Sequence, residues 1–163
     1  MKIWMLNHYA TNQYFDGAGR HQSFAKYLIG DGQERVNIEN EIRKRSLCNK
    51  IFCIGNKSNP YPYMEYADIF VHPSFVESQG ITVLEAFSLE KPCVVTRNIG
   101  TEEYVLDGEN ALMAEQSIES LVDKIEKMLD GNICETFSPK CQQETLRQFS
   151  PDTIMKKVMT LFE

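Results

Sequence analysis

The sequence predicts a single doubly wound α/β domain: a Rossmann-like parallel sheet with helices on both faces and further helices at the C-terminus. Three observations carry this. Short apolar runs alternate with segments of helical period from about residue 27 to 129. The strand-like runs are almost wholly apolar, as strands buried on both faces are. The chain has 163 residues, 42% of them hydrophobic, which is enough for one proper core.

The elements follow in order. Lys2 to Asn7 reads as a short apolar strand, residues 8–19 as a polar loop ending Asp16-Gly17-Ala18-Gly19, and residues 20–25 as a helical turn or two. Tyr27-Leu28-Ile29 is a short strand, and Gly30-Asp31-Gly32 breaks the chain after it. Residues 34–46 form a charged helix with Val36, Ile38 and Ile42 as its apolar members. Ile51 to Ile54 is a strand, 60–66 an aromatic-rich turn or short helix, and Ala67 to Val71 a buried strand. A helix covers 80–89 and a strand Cys93 to Thr96. The segments 51–54, 67–71 and 92–96 are expected to be neighbouring parallel strands. Ser117 caps a helix running to Leu129, and Ser138-Pro139 and Ser150-Pro151 each read as a cap followed by a first-turn proline.

The chemistry concentrates in 72–87. Glu77 and Glu85 have seven residues between them and flank Gly80, after which Ile81, Leu84 and Phe87 recur at helical spacing. This is strand, loop and helix, with one carboxylate in the loop and one inside the helix. A helix start offers unpaired N–H groups and partial positive charge, which suits a phosphate. Two carboxylates beside it suit hydroxyls, such as those of a ribose and a hexose. Together they suggest a nucleotide sugar. Read blandly, Ser78 caps the helix, His72 ends a strand, and Tyr61, Tyr63 and Tyr66 are packing residues. Lys57, His8 and His21 are then solvated loop residues.

Residues 27–129 resemble the C-terminal half of family-4 glycosyltransferases, retaining enzymes of the GT-B fold with two facing Rossmann-like domains. Gly30-Asp31-Gly32 resembles the family's "GDG", and Tyr66 to Ser74 its "ADIFVxPS" strand. Glu77 through Glu85 is similar to its E-x7-E motif, and Lys91 to Val95 to its "GKPVV" strand. Gly100 to Ala111 is similar to "GGxPExVxDGxxG", although Ile99 and Ala111 replace glycines and Glu102 a proline. The resemblance implies that Glu77 contacts the donor hexose and carries the catalytic role. It implies that Glu85 binds the ribose hydroxyls and that amides around Gly80, Ile81 and Thr82 hold the pyrophosphate. It implies no metal and no cofactor beyond the donor, a nucleoside diphosphate sugar, with a saccharide or lipid-linked acceptor in polysaccharide biosynthesis. The carrier, UDP, GDP or ADP, stays open.

Residues 1–25 resemble the first strand and helix of the family's N-terminal half, and 26–163 the nucleotide-sugar-binding C-terminal domain. Most of an acceptor domain is then absent, with the strand that carries the family's phosphate-facing Arg and Lys. Two readings follow: a glycosyltransferase domain, or a truncated, inactive nucleotide-binding or structural remnant. As a further alternative, residues 1–7 take the missing strand's place in the sheet. An apolar face left uncovered by the lost domain would pair two copies as a homodimer.

Composition narrows the classes. A net charge of -6 argues against nucleic acid as a partner. No run of eighteen apolar residues marks a transmembrane segment, and the N-terminus has no apolar signal region. Five cysteines without a C-x-x-C pair argue against zinc. Cys53 and Cys93, in strand-like runs, read as buried thiols of a reducing, cytoplasmic setting.

Overall fold

The computed structural model describes residues 2–6, 25–129 and 132–162. Six strands form one parallel sheet: β1 (Lys2–Leu6), β2 (Ala25–Ile29), β3 (Ile51–Gly55), β4 (Ile69–His72), β5 (Cys93–Thr96) and β6 (Ala111–Ala114). Their spatial order is β3-β2-β1-β4-β5-β6. Seven helices join or follow them: α1 (Arg35–Lys44), α2 (Tyr61–Glu65), α3 (Ile81–Ser88), α4 (Ile99–Glu102), α5 (Ile118–Leu129), α6 (Ile133–Phe149) and α7 (Pro151–Met159). The doubly wound α/β class predicted from the alternation is the class observed.

β1 lies between the two flanks, pairing in parallel with β2 over Lys2↔Ala25 to Leu6↔Ile29 and with β4 over Ile3↔Ile69 to Met5↔Val71. The expected adjacency of 51–54 with 67–71 does not hold: β2 and β1 stand between β3 and β4. The chain winds outward from β1 through β2 to β3, then crosses back to start the second flank at β4. β4 and β5 are neighbours as expected.

β4, β5 and β6 are buried at every position. With Val83, Ala86 and Phe87 of α3, Leu121 and Met128 of α5, and Phe137 and Cys141 of α6, they make the main core. A smaller cluster of Ile38, Ile42, Leu47 and Ile51 seats α1. The outer face of α1 carries ion pairs one turn apart, Arg35–Glu39 and Glu41–Arg45 among them, which solvent largely screens. All five cysteines are free thiols; Cys93 is buried as expected, but Cys53 is partly exposed. Among the described residues no helix is long and apolar enough to cross a membrane.

Several elements depart from the sequence reading. β6 and the short α4 were not expected. Ala-Leu-Met-Ala is a string of helix formers, and only full burial beside β5 makes it a strand. Ser138-Pro139 does not open a helix: α6 runs straight through with Pro139 inside it. Ser138 Oγ donates to the Cys134 carbonyl rather than capping, and the buried Phe137, Cys141 and Glu144 hold both sides of the proline to one face. Ser150-Pro151 behaves as expected: the Ser150 hydroxyl accepts the N–H of Thr153 at the head of α7. Ser117 likewise accepts from the Ser120 N–H before α5. The loop over 8–19, the turns over 20–24, His8 and His21 lie outside the described residues, and Ala25 already belongs to β2.

Candidate functional site

Strand order reverses between β1 and β4, and in such sheets ligands bind beyond the carboxyl ends of the strands at that reversal. The loop carrying Glu77 leaves β4 at this point, and α3 follows it. The fold therefore places the residues from Glu77 to Glu85 beyond the carboxyl end of β4, beside the reversal.

Gly80 shapes the loop. Its backbone is left-handed, φ 59° and ψ 42°, and it stands at the cap position of α3 with no side chain capping the helix. Ser78, read as a cap from the sequence, does not perform that task. The amides at the head of α3 are thus left without a side-chain acceptor, the condition under which a helix start can receive an anion. A Cβ on Gly80 would lie 2.7 Å from both Thr101 Cγ2 and the Tyr104 hydroxyl. That hydroxyl donates toward the carbonyls of Gln79 and Gly80, 2.9 Å from each. Burial pushes the Tyr104 proton affinity well up, so the phenol stays a donor. Its ring packs edge-on against Phe87 and Phe149, which ties the loop to α3 and α6.

The loop is also pressed from the α4 side. A Cβ on Gly100 would come within 2.6 Å of the Glu77 carbonyl oxygen, so only glycine lets α4 approach this closely. α4 is capped by Asn98, whose side-chain oxygen accepts the Thr101 N–H while its amide donates to the carbonyls of Ser74 and Thr96. The family's departures lie here: Ile99 opens α4 and is largely exposed, Glu102 pairs with Arg97, and Ala111 begins β6.

The two carboxylates have different settings. Glu77 is partly exposed, with Oε1 3.1 Å from Nε2 of the buried His72. Glu85 accepts a 2.7 Å hydrogen bond from the Tyr61 hydroxyl, a bond that raises the Tyr61 proton affinity. Thr82 Oγ1 is 3.3 Å from His72 Nδ1, and Ile81 is mostly exposed at the first turn. So Glu77, Gly80, Ile81, Thr82 and Glu85 share one loop and helix start. His72 and Tyr61, read from the sequence as a strand end and a packing residue, each touch one of its carboxylates. Lys57 stands over the Tyr63 ring, 5.5 Å from its centroid. Only the aromatic content of 60–66 could have pointed to Tyr61; nothing in the sequence pairs His72 with a carboxylate five residues on.

Residues 16–145 match the family model of glycosyl transferases group 1. The chain is 30% identical over 137 residues to the lipopolysaccharide core biosynthesis glycosyltransferase LpsE of Rhizobium meliloti (strain 1021), covering 83% of this chain and 40% of that protein. It is 24% identical over 139 residues to the poly(ribitol-phosphate) alpha-N-acetylglucosaminyltransferase of Staphylococcus aureus (strain COL), covering 83% and 28% respectively. The fold matches TarM with a TM-score of 0.86 at 20% identity, over 99% of this chain and 35% of TarM. It matches Anabaena Alr3699/HepE in complex with UDP with a TM-score of 0.87 at 19% identity, over 99% and 48%. The chain thus spans less than half the length of these relatives. With most of its length matched by the family model, it belongs to the glycosyl transferases group 1 family.

Proposed function

We propose that this chain is the donor-binding, C-terminal half of a retaining, family-4 GT-B glycosyltransferase, and that it binds a nucleoside diphosphate hexose. The observation that carries the reading is the pairing of Glu77 and Glu85 across an uncapped helix start at the reversal of the sheet. In this reading the amides of Gly80, Ile81 and Thr82 receive the pyrophosphate, Glu85 accepts the ribose hydroxyls, and Glu77 meets the hexose. Charge grows on the diphosphate as the glycosidic bond to it breaks. Amides already aimed at that charge lower the barrier without reorganising. The hexose goes to a saccharide or lipid-linked hydroxyl acceptor, and no cofactor or metal takes part in the proposal.

A second reading is favoured by one fact, the coverage of less than half of each relative named above. Under it this chain alone binds nucleotide and transfers nothing, because closure over the donor comes from the rest of the protein.

Calorimetry with UDP, GDP and ADP tests the site. Glu85→Gln is expected to weaken binding by about 1.5–3 kcal/mol, the worth of a hydrogen bond to a charged acceptor. Unchanged affinity removes Glu85 from the site, and no binding of any of the three at millimolar concentration sinks the whole reading. Nucleotide release from UDP-, GDP- and ADP-hexoses that disappears in Glu77→Ala overturns the second reading.

A further inference from the structure

His72 closes β4 with a ring that is almost fully buried, 4% exposed, and it is held between the two functional parts of the site. Its Nε2 is 3.1 Å from Glu77 Oε1 but out of line for a hydrogen bond, so this buried nitrogen has no aligned partner. Its Nδ1 is 3.3 Å from the hydroxyl of Thr82, in the first turn of α3. The strand end that presents the ring is fixed: Thr96 Oγ1 donates to the His72 carbonyl, and the Asn98 amide to that of Ser74.

The partners decide the proton. A carboxylate only accepts, so Nε2 must carry the hydrogen that faces Glu77. Burial disfavours the charged ring more than Glu77 favours it, which leaves Nδ1 with a lone pair for the Thr82 hydroxyl to donate to. A neutral imidazole of one tautomer thus links the loop carboxylate to the helix start.

We propose that His72 is a positioning residue for the donor sugar, orienting Glu77 through Nε2–H while Nδ1 anchors it to Thr82. The proposal rests on the reading that Glu77 meets the hexose and the head of α3 the pyrophosphate. A small rotation of the Glu77 carboxylate aligns Oε1 with Nε2–H. A hexose hydroxyl on the other Glu77 oxygen selects that rotation, so His72 acts on the sugar and not on the nucleotide.

The test compares UDP with UDP-glucose on the full chain. His72→Leu is expected to weaken UDP-glucose about tenfold or more while leaving UDP within about twofold, because the lost bond to the charged Glu77 serves the hexose, whereas the lost contact with the Thr82 hydroxyl leaves the backbone amides of α3 in place. His72→Gln, with an amide N–H that reaches toward Glu77, is expected to recover most of that loss. Adding Glu77→Ala to His72→Leu should cost little beyond Glu77→Ala alone. Equal weakening of both ligands, or none, overturns the proposal and leaves the donor-site reading standing. Failure of the wild-type chain to bind either ligand sinks both. Nitrogen-15 spectra of the ligand-free wild type supply a check that needs no variant to fold. An Nε2–H tautomer at neutral pH supports the proposal; an Nδ1–H tautomer or a charged ring overturns it.

Discussion

Gly80 combines a left-handed backbone with a Cβ direction blocked by Thr101 and Tyr104. Gly80→Ala meets both obstacles. The left-handed conformation costs a side chain about 1–2 kcal/mol and the clash about 1–3 more. Denaturant unfolding is expected to show a loss of at least about 2 kcal/mol. His72 brings a pH dependence. Its proton affinity is lowered from the ordinary 6.5 by burial, with Glu77 as the charged group facing it. Below that value the unfolded chain takes up a proton that the native ring refuses, so stability falls as pH drops through about 6.5 and is unaffected above. The difference between wild type and His72→Gln in denaturation at about pH 5 and pH 7.5 measures it. Glu77, Gly80 and Glu85 were legible because an apolar strand, a glycine and a helical period mark their places locally. The His72 and Tyr104 contacts were not. They span a loop whose path exists only once Gly80 has turned and, for Tyr104, a residue two dozen positions on has docked.

Among the helices, α6 runs against its own sequence. Pro139 lacks the N–H that the Glu135 carbonyl would receive, yet the helix continues because its inward residues bind it to α3 and the sheet end. Cys141 Sγ donates to the Asn110 carbonyl and Gln142 to that of Ser88, on either flank of the core. Pro139→Ala restores the missing bond and is expected to stabilise the protein by about 1–3 kcal/mol, seen as a higher thermal midpoint. An unchanged or lower midpoint would mean that the fixed backbone of the proline contributes as much as the bond it removes. The sequence reading put a helix boundary at Ser138-Pro139 because cap and proline statistics are local. Tertiary burial of Phe137 and Cys141 outweighs them, as burial also turns the helix formers of β6 into a strand.

For the molecule as a whole, β1 is the seam. Its backbone hydrogen bonds join the β2–β3 flank to the β4–β6 flank in the order of the sheet. Alternation gave the class and the parallel sense from sequence. It could not give the order, because a crossover that returns past two strands leaves no local trace. A proline at Met5, which is paired with Leu28 and Val71, removes a donor from the middle of the ladder. The orphaned carbonyl alone costs about 1–3 kcal/mol, and circular dichroism of Met5→Pro is expected to show loss of a cooperative transition or a markedly lower midpoint.

The seam also holds the chain's single tryptophan, Trp4, opposite Tyr27 on one side and Phe70 on the other in the strand register. Indole emission therefore comes from one place in the protein, the line where the two flanks meet. Ellipticity comes chiefly from helices elsewhere in the chain. Light collected at two wavelengths separates the joining of the sheet from the winding of its helices. The protein is supplied with its own reporter at the joint on which its architecture depends.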